Sequence, residues 1–440
     1  MTLIFNFLTT CFQEIKQNTK ADYTFFALLG LVCTIPLSYA INNAFLIAFI
    51  ATLLIGLKKN KFTLNKNLLL PILLYGIMVL SFFWSVDRSL TLLALSKELA
   101  LFLIPIGFLF WKENTFQKTN ILLKYYSYTM VLYVVFYLIK AIIRFIATGS
   151  TDVFFYHELV TKDVNAIHVS VYVSVAFFYF AQAVLKPIYK GVILLLLTVF
   201  IVLLSSKNIV LVFGALAVVY YFFFTKAANK MRLRNVFIVL LLVVTGLFFG
   251  KLKDRFLVEY KANTEKSITT DVVTISKQGV HNVSMKEAWS NEIFSPNDFF
   301  SGTSFRVYQT RLFLEFLKEE PIFWKGFGLN ASYNKIEEKA LKYNVFQGDE
   351  NAEGYQKKNF HNQYIQVFAE LGVFSFLILA SMLVLLLRKG IQRKDFITIS
   401  FAVLMISLFL TESFLWRQRG VVFFSLFYCI LMSQKIKIAK

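Results

Sequence analysis

Apolar runs of roughly 17 to 25 residues, the length needed to cross a hydrocarbon core about 30 Å thick, recur along most of this chain. Backbone groups in lipid find no water, so a chain that crosses repeatedly must form helices or a closed barrel. Barrel strands alternate apolar and polar residues, whereas both faces of these runs are apolar. An all-α, polytopic architecture follows, with about twelve spans expected near 23–40, 44–57, 68–84, 90–110, 121–147, 165–185, 188–204, 208–225, 235–250, 362–387, 396–411 and 420–433. A chain that is 57% hydrophobic exceeds the soluble norm of about half, which excludes a soluble globular class.

The net charge of +20 could suggest nucleic acid, but its distribution follows topology instead. With the N-terminus inside, the short inner segments hold 22 basic residues and the short outer ones 5, so both termini are expected in the cytoplasm. The opening MTLIFNFLTTCFQEIKQNTK lacks a small-residue cleavage site and reads as an interfacial segment. Cys11, Cys33 and Cys429 offer neither a disulfide framework nor metal-ligand spacing.

Residues 251–361 break the apolar pattern and divide the chain into a bundle over 1–250, a large outer loop and C-terminal helices over 362–440. The loop carries 16 Lys plus Arg against 15 Asp plus Glu, too balanced to bind a polyanion through bulk charge. Within it, SFRVYQTRLFLEFLKEEPIFWKGFGLN (304–330) reads as an amphipathic helix stopped by Pro321, with Val307, Leu312, Leu314, Phe316 and Leu317 on its apolar side. Arg306 and Arg311 lie five residues apart, so they need not share one job; a solvated pair and a functional pair both remain open. GFGLN carries no phosphate-loop signature. The 331–359 insert reads as a short helix and then a polar loop.

The other outer turns are sparse. SSKN places Lys207 at the outer surface, and TESFLWRQRG places Glu412, Arg417 and Arg419 there. Cations held near hydrocarbon cost on the order of 1 to 3 kcal/mol unless paired. Glu412 could neutralise Arg417, or Lys207, Arg306 and Arg417 or Arg419 could form an anion site. His361 opens the next span, followed by Asn362, Gln366 and Glu370, a polar stripe that must face a cavity or another helix. His157, His168 and His281 form no metal pattern. No cofactor motif is present.

Outward-facing cations beside one histidine suit a reaction on a lipid-linked diphosphate: the cations stabilise the departing diphosphate, so a metal is not obligatory, and the histidine takes the proton of an attacking hydroxyl. The 304–330 run, then FHNQYIQVFAELGVFSF and TESFLWRQRGVVFFSLFYCIL, resembles the O-antigen ligase and polymerase family of bacterial envelope proteins. The resemblance implies a fold similar to the C-type glycosyltransferases and metal-independent transfer of a glycan from undecaprenyl diphosphate at the periplasmic face of the inner membrane. It implies that Arg306 holds the diphosphate and His361 activates the acceptor. Lys207 stands where the family commonly has arginine, keeping the charge without the bidentate fork. The acceptor favoured is lipid A-core. A polymerase, a protein glycosyltransferase and, from another class, a flippase using Lys97, Glu98, Lys140 and Arg144 stay open, although no internal repeat supports transport.

Overall fold

The computed structural model describes residues 2–56, 62–111, 115–161, 164–225, 229–248, 260, 268–269, 280–350 and 353–433. The inner basic residues at 58, 59, 61, 112, 226, 435, 437 and 440, together with Lys162, lie outside them. Each expected apolar stretch carries a helix. Five helical segments have both the length and the apolarity for a crossing: Lys66–Phe83, Arg88–Phe110, Phe116–Thr148, Lys207–Phe224 and Gln363–Arg393. Six more apolar helices are shorter: Tyr23–Cys33, Tyr39–Ile55, Ala166–Gln182, Pro187–Leu203, Phe396–Phe409 and Gln418–Ser433. The chain is thus a multi-pass, helical membrane protein. The opening segment forms the helix Thr2–Ala21.

The bundle is organised around Gln418–Ser433, in which every residue from Arg419 to Met432 is buried. Aromatic side chains fill the space beside it: the Phe427 ring meets Tyr126 at 4.7 Å and Phe423 meets Tyr172 at 4.4 Å. Within the Arg88–Phe110 segment the helix is interrupted only at Leu99, whose φ of −55° and ψ of −26° stay in the right-handed helical region. Lys140 donates to the Val160 carbonyl at 3.0 Å and Arg144 pairs with Glu158 at 2.5 Å. These two cations therefore fasten the 147–164 loop.

The polar loop has a hydrophobic core of its own, containing Phe294, Phe300, Phe305, Tyr308, Leu312, Phe316 and Ile336. A small sheet joins its helices, with β2 (Val280–Val283) antiparallel to β1 (Ile268–Thr269) and parallel to β3 (Asp298–Phe300). These strands have two to four residues each, and the described chain is otherwise almost wholly helical, consistent with the all-α expectation. The amphipathic helix runs Gly302–Glu319, capped by Ser301, whose side chain accepts from the Ser304 N–H. Its buried face is centred on Phe305, Tyr308, Leu312 and Phe316, at helical spacing, and leaves Leu314 exposed.

A double glycine contact docks this loop domain on the bundle. Helix Gln363–Arg393 kinks at Gly372, where φ is 79° and ψ −179°. The kink frees carbonyls, and the loop supplies donors: Phe327 N–H bonds the Ala369 carbonyl at 2.9 Å and Gly328 N–H the Glu370 carbonyl at 2.8 Å. A Cβ on Gly372 would meet the Trp324 carbonyl oxygen at 2.2 Å, and one on Gly326 the Glu370 carbonyl oxygen at 2.3 Å. GFGLN is therefore a docking strip. Only glycine allows the two backbones to approach so closely.

Glu315 anchors the loop domain's polar interior. It accepts from Arg311 at 2.9 Å, Lys339 at 2.9 Å and Tyr343 at 2.8 Å. Burial alone would raise its pKa; the bonds from Lys339, Tyr343 and Arg311 outweigh that and hold it below the ordinary glutamate value. A depressed folded pKa stabilises above the unfolded value of about 4.3 and loses its contribution as pH falls through the folded value. Thermal melting should show the wild type losing stability on acidification below about pH 4.3. Glu315→Gln should be less stable at pH 7 and flatter across that window, whereas parallel curves would remove Glu315 as the source.

Candidate functional site

Three segments distant in sequence meet on the side of the bundle that carries the loop domain. The first is Gly302–Glu319, which presents Arg306. Its Nε and Nη2 donate to the Thr411 carbonyl at 2.9 and 2.6 Å, and Nη1 donates to the Gly302 carbonyl at 2.7 Å. Nη2 also lies 3.4 Å from Glu412 Oε1. One of the five guanidinium hydrogens, on Nη1, remains after these contacts among the described residues.

The second segment is the start of Gln363–Arg393. Asn362 is its N-cap, its side chain accepting from Tyr364 N–H at 3.0 Å and Ile365 N–H at 3.1 Å. His361 stands just before the cap with φ 47°, a left-handed conformation unusual for a histidine. Its N–H donates to the Asn359 side chain at 2.9 Å, and its ring sits edge-on to Phe305 at 5.7 Å. His361 Nδ1 lies 3.7 Å from Glu412 Oε2. Glu412 thus uses its two oxygens on two different residues, Arg306 and His361. The sequence offered Arg417 as its partner; the structure places it with Arg306 and His361.

The third segment is the turn after Ser206. Asn208 donates to the Ser407 carbonyl and to Thr411 Oγ1, both at 2.8 Å, and accepts from Ser407 at 2.6 Å. This fixes the start of helix Lys207–Val219 to the residue whose carbonyl receives Arg306. Lys207 immediately precedes Asn208 at the start of that helix.

The other candidate residues divide. Arg311 donates to Glu315 and to the Asn291 carbonyl at 2.5 Å and lies 4.7 Å from the Tyr343 ring centroid, inside the loop domain and apart from His361. Arg419, 6% exposed, donates to the Leu37 carbonyl at 2.8 Å and covers the Tyr39 ring, tying the central helix to the turn before Tyr39–Ile55. Arg417 is exposed, with no side-chain hydrogen bond or ion pair among the described residues.

Gln366 and Glu370 are buried and face protein, as the polar stripe required. Gln366 donates to Glu370 Oε1 and to Ser332 at 3.3 Å, Ser332 donates to Glu370 at 2.9 Å, and Gln366 Oε1 accepts from Phe360 N–H and Ser413. Ser332 belongs to helix Ser332–Lys342, so the 331–359 insert packs into this network. A cavity with about 20 Å³ of water-accessible space lies beside it, lined by Lys97, Glu98, Asn330, Gln363, Glu370 and Trp416 among others. Sequence reasoning gave Ser332, Asn330 and Trp416 no part; polar residues in an insert carry no periodic signal.

The fold and this site define a class: a helical, multi-pass membrane protein whose large polar loop closes over the start of one kinked helix, joining an arginine, a histidine and a glutamate. Residues 192–380 match the family model described as O-antigen ligase, so this part of the chain is similar to that family. The match includes Lys207, Arg306, His361, Gln366 and Glu370 and ends before Glu412. No curated protein matches the chain.

Arg306 tests the arrangement directly. Arg306→Lys retains a charge but cannot grip one carbonyl through two nitrogens in the same fork, so whatever activity this site carries should fall roughly tenfold, and Arg306→Ala should cost more. Activity of the lysine variant equal to wild type would show that charge alone suffices.

Proposed function

We propose that this protein is a ligase-type glycosyltransferase that moves a glycan from undecaprenyl diphosphate to a hydroxyl of lipid A-core, at the periplasmic face of the bacterial inner membrane. The observation that carries the reading is the shared contact of Arg306 and His361 with Glu412. Glu412 facing Nδ1 favours the tautomer with its proton there, leaving the Nε2 lone pair for the acceptor hydroxyl. The hydroxyl oxygen attacks the anomeric carbon as Nε2 takes its proton, and the bond from that carbon to the diphosphate breaks. Lys207 and Arg306 hold the charge that builds on the leaving diphosphate. Glu412 orients His361 and stabilises the imidazolium. The spent donor supplies the driving force. No cofactor enters the reading.

Purified protein in lipid vesicles, supplied with an undecaprenyl diphosphate glycan with and without lipid A-core, tests this by gel analysis of products. Glycan appearing on the core is the expected result. A carrier-linked ladder that lengthens without core would make it a polymerase, and no covalent product would reject transfer.

A further inference from the structure

An aromatic and polar wall is connected to His361 through Asn359, and the transfer reaction does not account for it. Trp416 is oriented by its indole N–H, which donates to Asn330 Oδ1 at 2.6 Å. The Tyr333 ring lies 5.7 Å from it, and the Lys97 ammonium 5.3 Å from its centroid. The Tyr333 hydroxyl faces the side chain of Asn359, the residue that also receives the His361 N–H. The wall is thus joined to His361 through Asn359, while Glu412 and Arg306 join it through Nδ1.

Behind this wall lies the small cavity. Trp416 and the exposed Lys97 belong both to its lining and to the surface, so it ends at the wall. Glu98 also lines it, is only 5% exposed, and has an oxygen, Oε2, with no hydrogen-bond partner among the described residues. A buried acceptor without a donor carries a desolvation cost that an incoming donor removes. The space holds about one water, hence one hydroxyl.

We propose that Tyr333, Trp416, Lys97 and Glu98 form a subsite for a sugar ring of the acceptor glycan. The ring's apolar face lies on the aromatic wall, and one hydroxyl enters the cavity and donates to Glu98 Oε2. Lys97, at the end of a flexible stem, yields the Trp416 face and donates to the sugar's oxygens. Arg417, exposed two residues after Leu415, stands ready for an anionic substituent on the same glycan. The placement rests on the transferase reading: the hydroxyl must reach the anomeric carbon opposite the departing diphosphate, and Arg306 marks the diphosphate side.

The test titrates the full-length protein in lipid nanodiscs with core oligosaccharide freed of its lipid, followed by tryptophan fluorescence and calorimetry, and measures transfer kinetics in parallel. Wild type should bind, and Trp416→Ala and the isosteric Glu98→Gln should each weaken binding roughly tenfold. In transfer, both should raise the acceptor KM by a similar factor, with kcat and the donor KM within twofold. Should Trp416→Ala fail to fold, Glu98→Gln decides alone. No binding by the wild type, or equal binding by the variants, overturns the subsite. Binding that is lost in the variants, in a protein that transfers nothing, would keep the subsite and reject the transferase reading.

Discussion

His361→Ala should lower glycan transfer by a factor on the order of 10²–10⁴, the range a positioned general base contributes, while the protein stays folded in the membrane. The side chain is partly exposed at the cap of its helix, and Asn362, not His361, satisfies the helix N–H groups. Its loss therefore removes chemistry and little structure. Glu412→Gln should fall less, because the amide still fills the place between Arg306 and His361 but cannot stabilise an imidazolium. The double variant should be no worse than His361→Ala alone, since residues that act as a unit do not add. Steady-state transfer rates in vesicles provide the check. Near-normal turnover in His361→Ala would end its assignment as base, and additive losses would separate the two side chains.

Gly372→Ala should destabilise the protein by about 3 kcal/mol or more. The new methyl faces the Trp324 carbonyl at 2.2 Å, an atom of backbone that cannot swing aside, and φ is 79°. Relief requires the strip Trp324–Gly328 to move, which breaks the two bonds to the Ala369 and Glu370 carbonyls. Protease cleavage within the loop domain should rise and the melting temperature should fall. Gly76→Ala is the control: its added Cβ meets nothing within 4 Å, in the interior of helix Leu69–Leu80, so it should be neutral or slightly stabilising. Equal melting curves for the two variants would contradict the docking role of Gly372.

The apolar runs made the helices legible, because length and hydropathy act locally. The loop helix was equally plain from its spacing and Pro321. Its burial was partly misjudged, since Leu314 and Phe305 trade places depending on which face meets the sheet, a tertiary choice. Among the candidate residues, the motif singles out His361 and Arg306, but not the Glu412 that both of them contact. Glu412 has arginines at five and seven residues in sequence, and proximity in sequence suggested Arg417; the fold instead brings Arg306 across more than a hundred residues. Arg311 and Arg419 carry the same charge as Arg306, yet each is held elsewhere by a carbonyl and an aromatic ring. The glycine strip was read only for what it lacked. A backbone-to-backbone contact leaves no mark in composition beyond the glycine itself.

The clamp of Arg306 on Thr411 also sets an order of assembly. During synthesis the arginine and histidine emerge about fifty residues or more before the carboxylate that joins them. A nascent chain that already displays His361 therefore lacks the carboxylate at its Nδ1 until the hairpin bearing Thr411 and Glu412 is inserted beside helix Lys207–Val219. Competence arrives late, as a single event, in a protein whose bundle is by then nearly complete.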